Sequence, residues 1–253
     1  MKKLPISCFI IAKNEALRIR KTIESVIDLV DEVIVIDSGS TDGTQRIASD
    51  LGCFVKSKNW IGYGQQKRFG EDSCRNEWLL NLDADEYLTA NIKDEIIRLF
   101  ETKILFSFYA FKVVPIYHNW KKPRLLSSYH NCVRLYDKSV GRFSNSAVHD
   151  SVLTGNNEIK LLKHPVLHNS VRSYSHLIAK QNSYIRLQVE TLKKRNIGIL
   201  LLRLIIELPF SFLKYYIIRR HITGGISGLI TASIMSYFRW KRIILFIISY
   251  RKT

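Results

Sequence analysis

Three carboxylates crowd the end of one apolar run: Asp83, Asp85 and Glu86 in EWLLNLDADEYL, residues 77–88. Like charges this close repel, and burying even one without a partner costs several kcal/mol. Either they are solvated where a strand leaves its sheet, or they face a cation. Three further stretches place polar chemistry beside apolar runs. AKNE (12–15) breaks a strand pattern, and Asn14 or Glu15 there suits a helix cap. VIVIDSGSTDGT (33–44) ends a strand on Asp37, turns through Ser38-Gly39-Ser40, and offers Ser40 or Thr41 as a cap with Asp42 in the first turn. SAVHDSV (146–152) interrupts an apolar stretch with His149-Asp150. Taken singly, each reads as an ordinary cap or turn.

The elements that must position these residues alternate. ISCFIIA (6–12), EVIVID (32–37), CFVKS (53–57) and EWLLNLD (77–83) read as strands, and residues 15–30, 40–52 and 64–74 as helices. This βαβα order predicts a mainly parallel α/β sheet with helices on both faces. Ligands of such sheets sit beyond the carboxyl ends of the strands, the edge where Asp37 and Asp83 fall. Strand patterns continue over 105–117 and 131–138, and a helix is predicted from 172 to about 194 with Val189 and Leu192 on its apolar face.

The bulk properties narrow the class. A chain of 253 residues with 46% hydrophobic content has the material for one large core and excludes global disorder. Its four cysteines, Cys8, Cys53, Cys74 and Cys132, form no CxxC pair, which argues against a zinc ribbon and suits a reducing compartment. Charge is uneven: residues 1–101 carry a net −3 and residues 102–253 a net +20. A half that basic wants an anionic partner. From residue 193 onward, apolar stretches are edged by Lys193-Lys194-Arg195, Arg219-Arg220 and Arg239 with Lys241-Arg242. That pattern reads as attachment along an anionic membrane surface, with an ordinary helical subdomain or two membrane-spanning helices as the alternatives.

Together, in this order and spacing, Lys13-Asn14-Glu15, Asp37-Ser38-Gly39-Ser40-Thr41-Asp42 and Asp83-Ala84-Asp85-Glu86 resemble the family 2 inverting glycosyltransferases, which have the GT-A fold. With GYGQQKRFG (62–70), VHDSV (148–152) and the basic apolar tail, the chain is most similar to the bacterial lipopolysaccharide core β-1,4-glucosyltransferase subgroup. The resemblance spans nearly the whole chain and is looser after residue 150. It implies a GT-A catalytic domain over 1–171, with a nucleotide-sugar half to about 101 and an acceptor half to about 171. A helical, membrane-associating region follows over 172–253.

The resemblance also implies the chemistry. A UDP-sugar donates one sugar, expected to be glucose, to a lipid-linked saccharide acceptor, the lipopolysaccharide inner core, at the cytoplasmic face of the bacterial inner membrane. The QxxRW motif of processive members is absent, which implies single transfer. The DxD cluster puts Asp85 on Mg²⁺ or Mn²⁺ and Asp83 near the metal or the ribose, since these ions take hard oxygen ligands and keep sites for phosphate and water. Glu86 is second to these, or solvated. Asp37 resembles the residue that hydrogen-bonds uracil, with Asn14, Glu15, Ser38 and Asp42 around that pocket. Lys67 and Arg68 are candidates for the diphosphate, against a solvated helix face. Asp150 is the implied general base with His149 as neighbour or alternative; the subgroup's usual residue after the histidine is glutamate, one methylene longer. Two other readings stand beside this one. A basic protein without catalysis would bind nucleic acid or anionic lipid, but no nucleic-acid motif is present and the acidic strand ends would repel phosphate. A sugar-nucleotide pyrophosphorylase would need a glycine-rich first loop where IIAKNE stands.

Overall fold

The computed structural model describes residues 3–118, 120–147, 150–191 and 196–250. It divides into two compact units: Met1–Pro115 with Tyr129–Asn169, and Ile116–Ser128 with Ser170–Thr253.

The first unit is a mixed α/β structure. β1 (Leu4–Ala12), β2 (Val30–Asp37), β3 (Phe54–Ser57) and β4 (Trp78–Asp83) are joined through α1 (Ile19–Glu24), α2 (Thr44–Asp50) and α3 (Tyr63–Ser73). β5 (Glu86–Leu88), α4 (Ala90–Glu101), β6 (Phe108–Pro115), β7 (His130–Asp137) and β8 (Ile159–His168) follow. Eight strands form one sheet in the order β3-β2-β1-β4-β7-β6-β8-β5. The half β3-β2-β1-β4 is parallel, as its alternating pattern predicts. The other half is mixed: β7 runs antiparallel to β4 and β6, β6 is parallel to β8, and β5 is antiparallel to β8. The expectation of a mainly parallel sheet therefore holds for one half only. The 24-residue-wide gap between β4 and β6 is filled by β5 and α4, and the antiparallel β7 brings the later chain against β4.

Period-two alternation in β1 sends Ile6, Cys8 and Ile10 to one face, against Ile19 and Ile23 of α1, Ala48 of α2 and Ile92 and Ile96 of α4. Phe9 points to the other face with Ile34, Ile36 and Leu79, where Phe69 of α3 packs. Helices thus cover both faces. Each of these buried aliphatic side chains is worth about 1.5–3 kcal/mol. α1 is shorter than the predicted 15–30, because Val26 and Leu29 reach the core from turns rather than from helix.

The second unit is helical: α5 (Tyr174–Thr191), α6 (Ile197–Leu213) and α7 (Gly225–Tyr250), with a π-helical turn at Lys214–Ile218 and a 3-10 turn at His221–Gly224 between the last two. Leu200 of α6 packs with Ile243 and Phe246 of α7. The single acid of α6 and α7, Glu207, is buried and accepts from Arg203 at 2.6 Å and from Arg239 at 2.7 Å. Among the described residues no helix is long and apolar enough to cross a membrane.

Candidate active site

Strand register brings the polar motifs to one edge. β1 lies between β2 and β4, pairing Ala12 with Asp37 and Ile11 with Asp83. All three strands run in the same direction, so Asp37, Asp83 and the loop after Ala12 emerge together.

The first loop pair is braced rather than capped. The backbone N–H of Asn14 donates to Ser40 Oγ at 2.8 Å, and Thr41 N–H donates to Asn14 Oδ1 at 2.9 Å. Glu15 N–H donates to Thr44 Oγ1 at 2.8 Å, and Ala16 N–H to Asp42 Oδ2 at 3.0 Å. Neither α1 nor α2 has a side-chain cap, so the capping roles expected of Asn14, Glu15, Ser40 and Thr41 are replaced by these cross-loop bonds. Asn14 holds φ +55°, a left-handed conformation that asparagine tolerates. Asp37 is fully buried, and its Oδ2 accepts from the N–H groups of Gly39 and Ser40 and from Gln45 Nε2 at 2.7–2.9 Å. Its Oδ1 has no hydrogen-bond partner among the described residues. Ser38 Oγ accepts from Gln66 Nε2 at 2.9 Å.

The three carboxylates at the end of β4 are each paired with basic side chains. Asp83 pairs with Lys67 Nζ at 3.0 Å and with Arg134 Nη2 at 2.8 Å. Burial pushes its carboxyl up, but Arg134 and Lys67 outweigh that and hold it far below the usual carboxylate range. Glu86 is neither exposed nor solvated: it lies at 1% exposure against Arg134 Nη2 at 2.6 Å. Burial dominates there and, with Asp83 adding to it against Arg134, raises the Glu86 carboxyl. Asp85 pairs with Arg18 Nη1 at 2.9 Å and lies 3.3 Å from His168 Nε2. Arg18 also forks onto Glu15 at 2.6 and 2.7 Å and onto the Asn169 carbonyl at 2.8 Å. Burial lowers the His168 imidazole, yet its bond to Asp85 and the nearby carboxylates raise it overall.

Lys67 links the two ends of the sequence motif set. It is 1% exposed, so it is not on a solvated helix face, and its Nζ lies 2.6 Å from Asp150 Oδ2 as well as 3.0 Å from Asp83 Oδ1. The GYG run makes this possible. Gly64 N–H donates to the Ser146 carbonyl at 2.9 Å, and a Cβ at Gly64 would overlap the backbone of Ser144 and Ser146. That close approach lays residues 144–147 along the start of α3, one turn before Lys67. Arg68 does not join this cluster: it donates to the Phe143 carbonyl at 2.8 Å. His149 lies outside the described residues.

Asp85 and His168 are the groups of this cluster that could contribute ligands to a divalent ion. No three His, Cys, Asp or Glu side chains among the described residues form a ready cage. Asp85 and His168, however, offer an oxygen and a nitrogen 3.3 Å apart. Neighbouring ligands of an octahedral ion with ~2.1 Å bonds stand about 3 Å apart, and such ions keep most positions for phosphate and water. Sequence reasoning missed Arg18, Arg134, His168 and Gln45. A lone arginine inside the apolar strand NCVRLYDK was the available signal for Arg134.

The sequence matches the Glycosyl transferase family 2 profile over residues 7–153. It is similar to an uncharacterized glycosyltransferase of Rickettsia felis, 39% identical over 94% of this chain and 88% of that protein. It is similar also to the lipopolysaccharide core biosynthesis glycosyltransferase LpsC of Rhizobium meliloti, 31% identical over 91% of this chain and 87% of that one. Among solved structures, S. aureus TarS aligns with a TM-score of 0.46 at 18% identity, covering 76% of this chain and 41% of TarS. The profile covers more than half of the chain and two relatives align along nearly all of it: this protein belongs to glycosyltransferase family 2.

Proposed function

We propose that the protein transfers one sugar from a UDP-sugar to a lipid-linked saccharide of the lipopolysaccharide core, inverting the anomeric centre, at the cytoplasmic face of the membrane. The observation that carries this reading is the single sheet edge on which Asp37, the Asp85–His168 pair and, through Lys67, Asp150 are gathered. Family membership speaks against a non-catalytic basic binder. The name of the Rhizobium meliloti relative supports the core saccharide as acceptor.

In this reading the partnerless Asp37 Oδ1 accepts the uracil N3–H, and the Asn14–Ser40–Thr41 brace shapes the nucleoside pocket. Asp83, fixed by Lys67 and Arg134, takes the ribose side. Asp85 and His168 would hold Mg²⁺ or Mn²⁺, which when bound neutralises charge on the departing diphosphate. Arg18 keeps Asp85 in place and presents a further positive charge at that end. Asp150 takes the proton from the acceptor hydroxyl as that oxygen attacks the anomeric carbon from the side opposite the diphosphate. The new C–O bond forms while the bond to UDP breaks, so the anomeric configuration inverts without a second carboxylate acid. Lys67, touching both Asp83 and Asp150, sets the base at a fixed distance from the donor strand.

A panel of UDP-sugars offered with a deacylated core oligosaccharide, with product mass and anomeric coupling read out, tests the reading. One added hexose in β linkage from UDP-glucose is expected. An α-linked product, or transfer from no UDP-sugar, overturns it.

A further inference from the structure

Ile116–Ser128 belongs to the helical unit, and its hydrogen bonds show where it is fastened there. Arg124 is 7% exposed and meets no carboxylate among the described residues. Its guanidinium donates instead to the carbonyls of Arg219 and Arg220 at 2.9 and 3.3 Å and to Ser127 Oγ at 3.0 Å. Thr223 Oγ1 donates to the Leu125 carbonyl at 2.7 Å, and Trp120 Nε1 to Ser227 Oγ at 3.3 Å. Tyr117 Oη lies 2.6 Å from His221 Nδ1. The strap and the turn between α6 and α7 therefore form one tip, shaped by left-handed Arg220 (φ +59°) and Gly225 (φ +53°).

The tip is built the wrong way round for water. Leu125, Leu126, Ile217, Ile218, Ile222 and Ile226 are 52–78% exposed. Single exposed aliphatics are ordinary, but six on one small tip are a surface in want of a partner. The segments 116–128 and 213–226 carry six Lys and Arg and not one Asp or Glu. Lys121, Lys122, Arg219 and Arg220 among them are exposed. Aliphatic side chains ringed by cations of one sign match the boundary of an anionic bilayer, where the chains enter the acyl region and the cations meet headgroup phosphates.

We propose that this tip is the membrane-docking surface of the protein and that its partner is an anionic phospholipid bilayer. The proposal rests on the reading that the enzyme works at a membrane, and it names the part of the chain that holds it there. Arg124 serves as the strut: buried and spent on carbonyls, it fixes the turn that displays Arg219 and Arg220.

Full-length protein is sedimented with vesicles of phosphatidylcholine, with and without phosphatidylglycerol. Wild type is expected to bind the anionic vesicles alone, and less at high salt. Arg219→Gln/Arg220→Gln is expected to bind about 30-fold more weakly, each basic residue contributing ~1 kcal/mol. Leu125→Glu/Ile218→Glu is expected to abolish binding, while Lys103→Glu/Leu105→Glu, exposed elsewhere, changes little. Unchanged melting temperatures show that the variants fold. If wild type binds and the tip variants bind equally well, the tip is not the docking surface though the membrane reading stands. If Leu202→Glu/Ile205→Glu on α6 abolishes binding and the tip variants do not, the surface is the flank of α6. If wild type ignores anionic vesicles, or if the tip variants only convert a dimer to a monomer, the membrane partner itself is overturned.

Discussion

The two units handle charge and apolar surface in opposite ways. In the sheet unit the strands bury their apolar residues on both faces, and charges are buried with them: Lys67 and Glu86 at 1% exposure and Arg134 at 5%. In the helical unit the sole acid of α6 and α7 is neutralised by two arginines, and large aliphatics of the tip face outward, Ile218 at 71% and Ile226 at 78%. Buried ion pairs are poor stabilisers, since desolvation offsets most of their attraction, so a network of them at a strand edge points to a ligand. An outward apolar face likewise gains nothing from water and points to a surface that covers it. Each unit departs from the usual inside–outside rule at the place where we propose that it meets its partner.

Substituting Asp150 should give the largest effect. Asp150→Asn removes the proposed base and is expected to lower kcat by ~10²–10⁴-fold. UDP-sugar affinity should be nearly unchanged, because the base acts only as the acceptor attacks. A kcat within a few-fold of wild type would leave the Lys67–Asp150 contact as mere structure.

Breaking the buried network should come next. Arg134→Met leaves Glu86 buried without its counter-ion and is expected to cost ~3–5 kcal/mol of unfolding free energy in urea titrations. Adding Glu86→Gln should restore part of it. A single substitution costing under about 1 kcal/mol would show that the sheet unit does not depend on this pair.

The smallest effect sharpens the helical side. Burial raises the Glu207 carboxyl, but Arg203 and Arg239 outweigh it and leave it below the usual range. A depressed folded-state value contributes stability that is present above the unfolded pKa of about 4.3 and is lost as pH falls through the folded value. Glu207→Gln should therefore lower stability by ~1–3 kcal/mol at pH 7. The gap from wild type should begin to narrow at about pH 4 and close only below the lowered folded-state value. A gap that persists at low pH would assign the effect to packing.

What was legible in the sequence was local. β-Branched runs announced β1 and β2, a leucine-rich apolar run announced β4, and a carboxylate at the end of such a run announced Asp37 and Asp83. The partners were not legible, because they are distant: Arg18 reaches Asp85 across 67 positions and Arg134 reaches Asp83 across 51. Arg18 also lay within a pattern that reads as a plain amphipathic helix. β8 was hidden by Pro165 and by IKLLKHPVLH alternating poorly, so His168 at its end had no frame; β5, three residues long, was too short to read. Beyond the strand pattern of 105–117 the strap carries no periodic signal, and only folding shows that it braces the α6–α7 turn.

Asp85 and His168 are proposed to hold a metal together with the donor, and calorimetric titration of UDP with and without Mn²⁺ decides whether they do. Wild type should bind UDP at least about tenfold more tightly with Mn²⁺, about 1.4 kcal/mol. Asp85→Asn should lose that difference while keeping metal-free affinity. UDP affinity that is indifferent to Mn²⁺ in wild type, or equally metal-dependent in Asp85→Asn, would contradict the account.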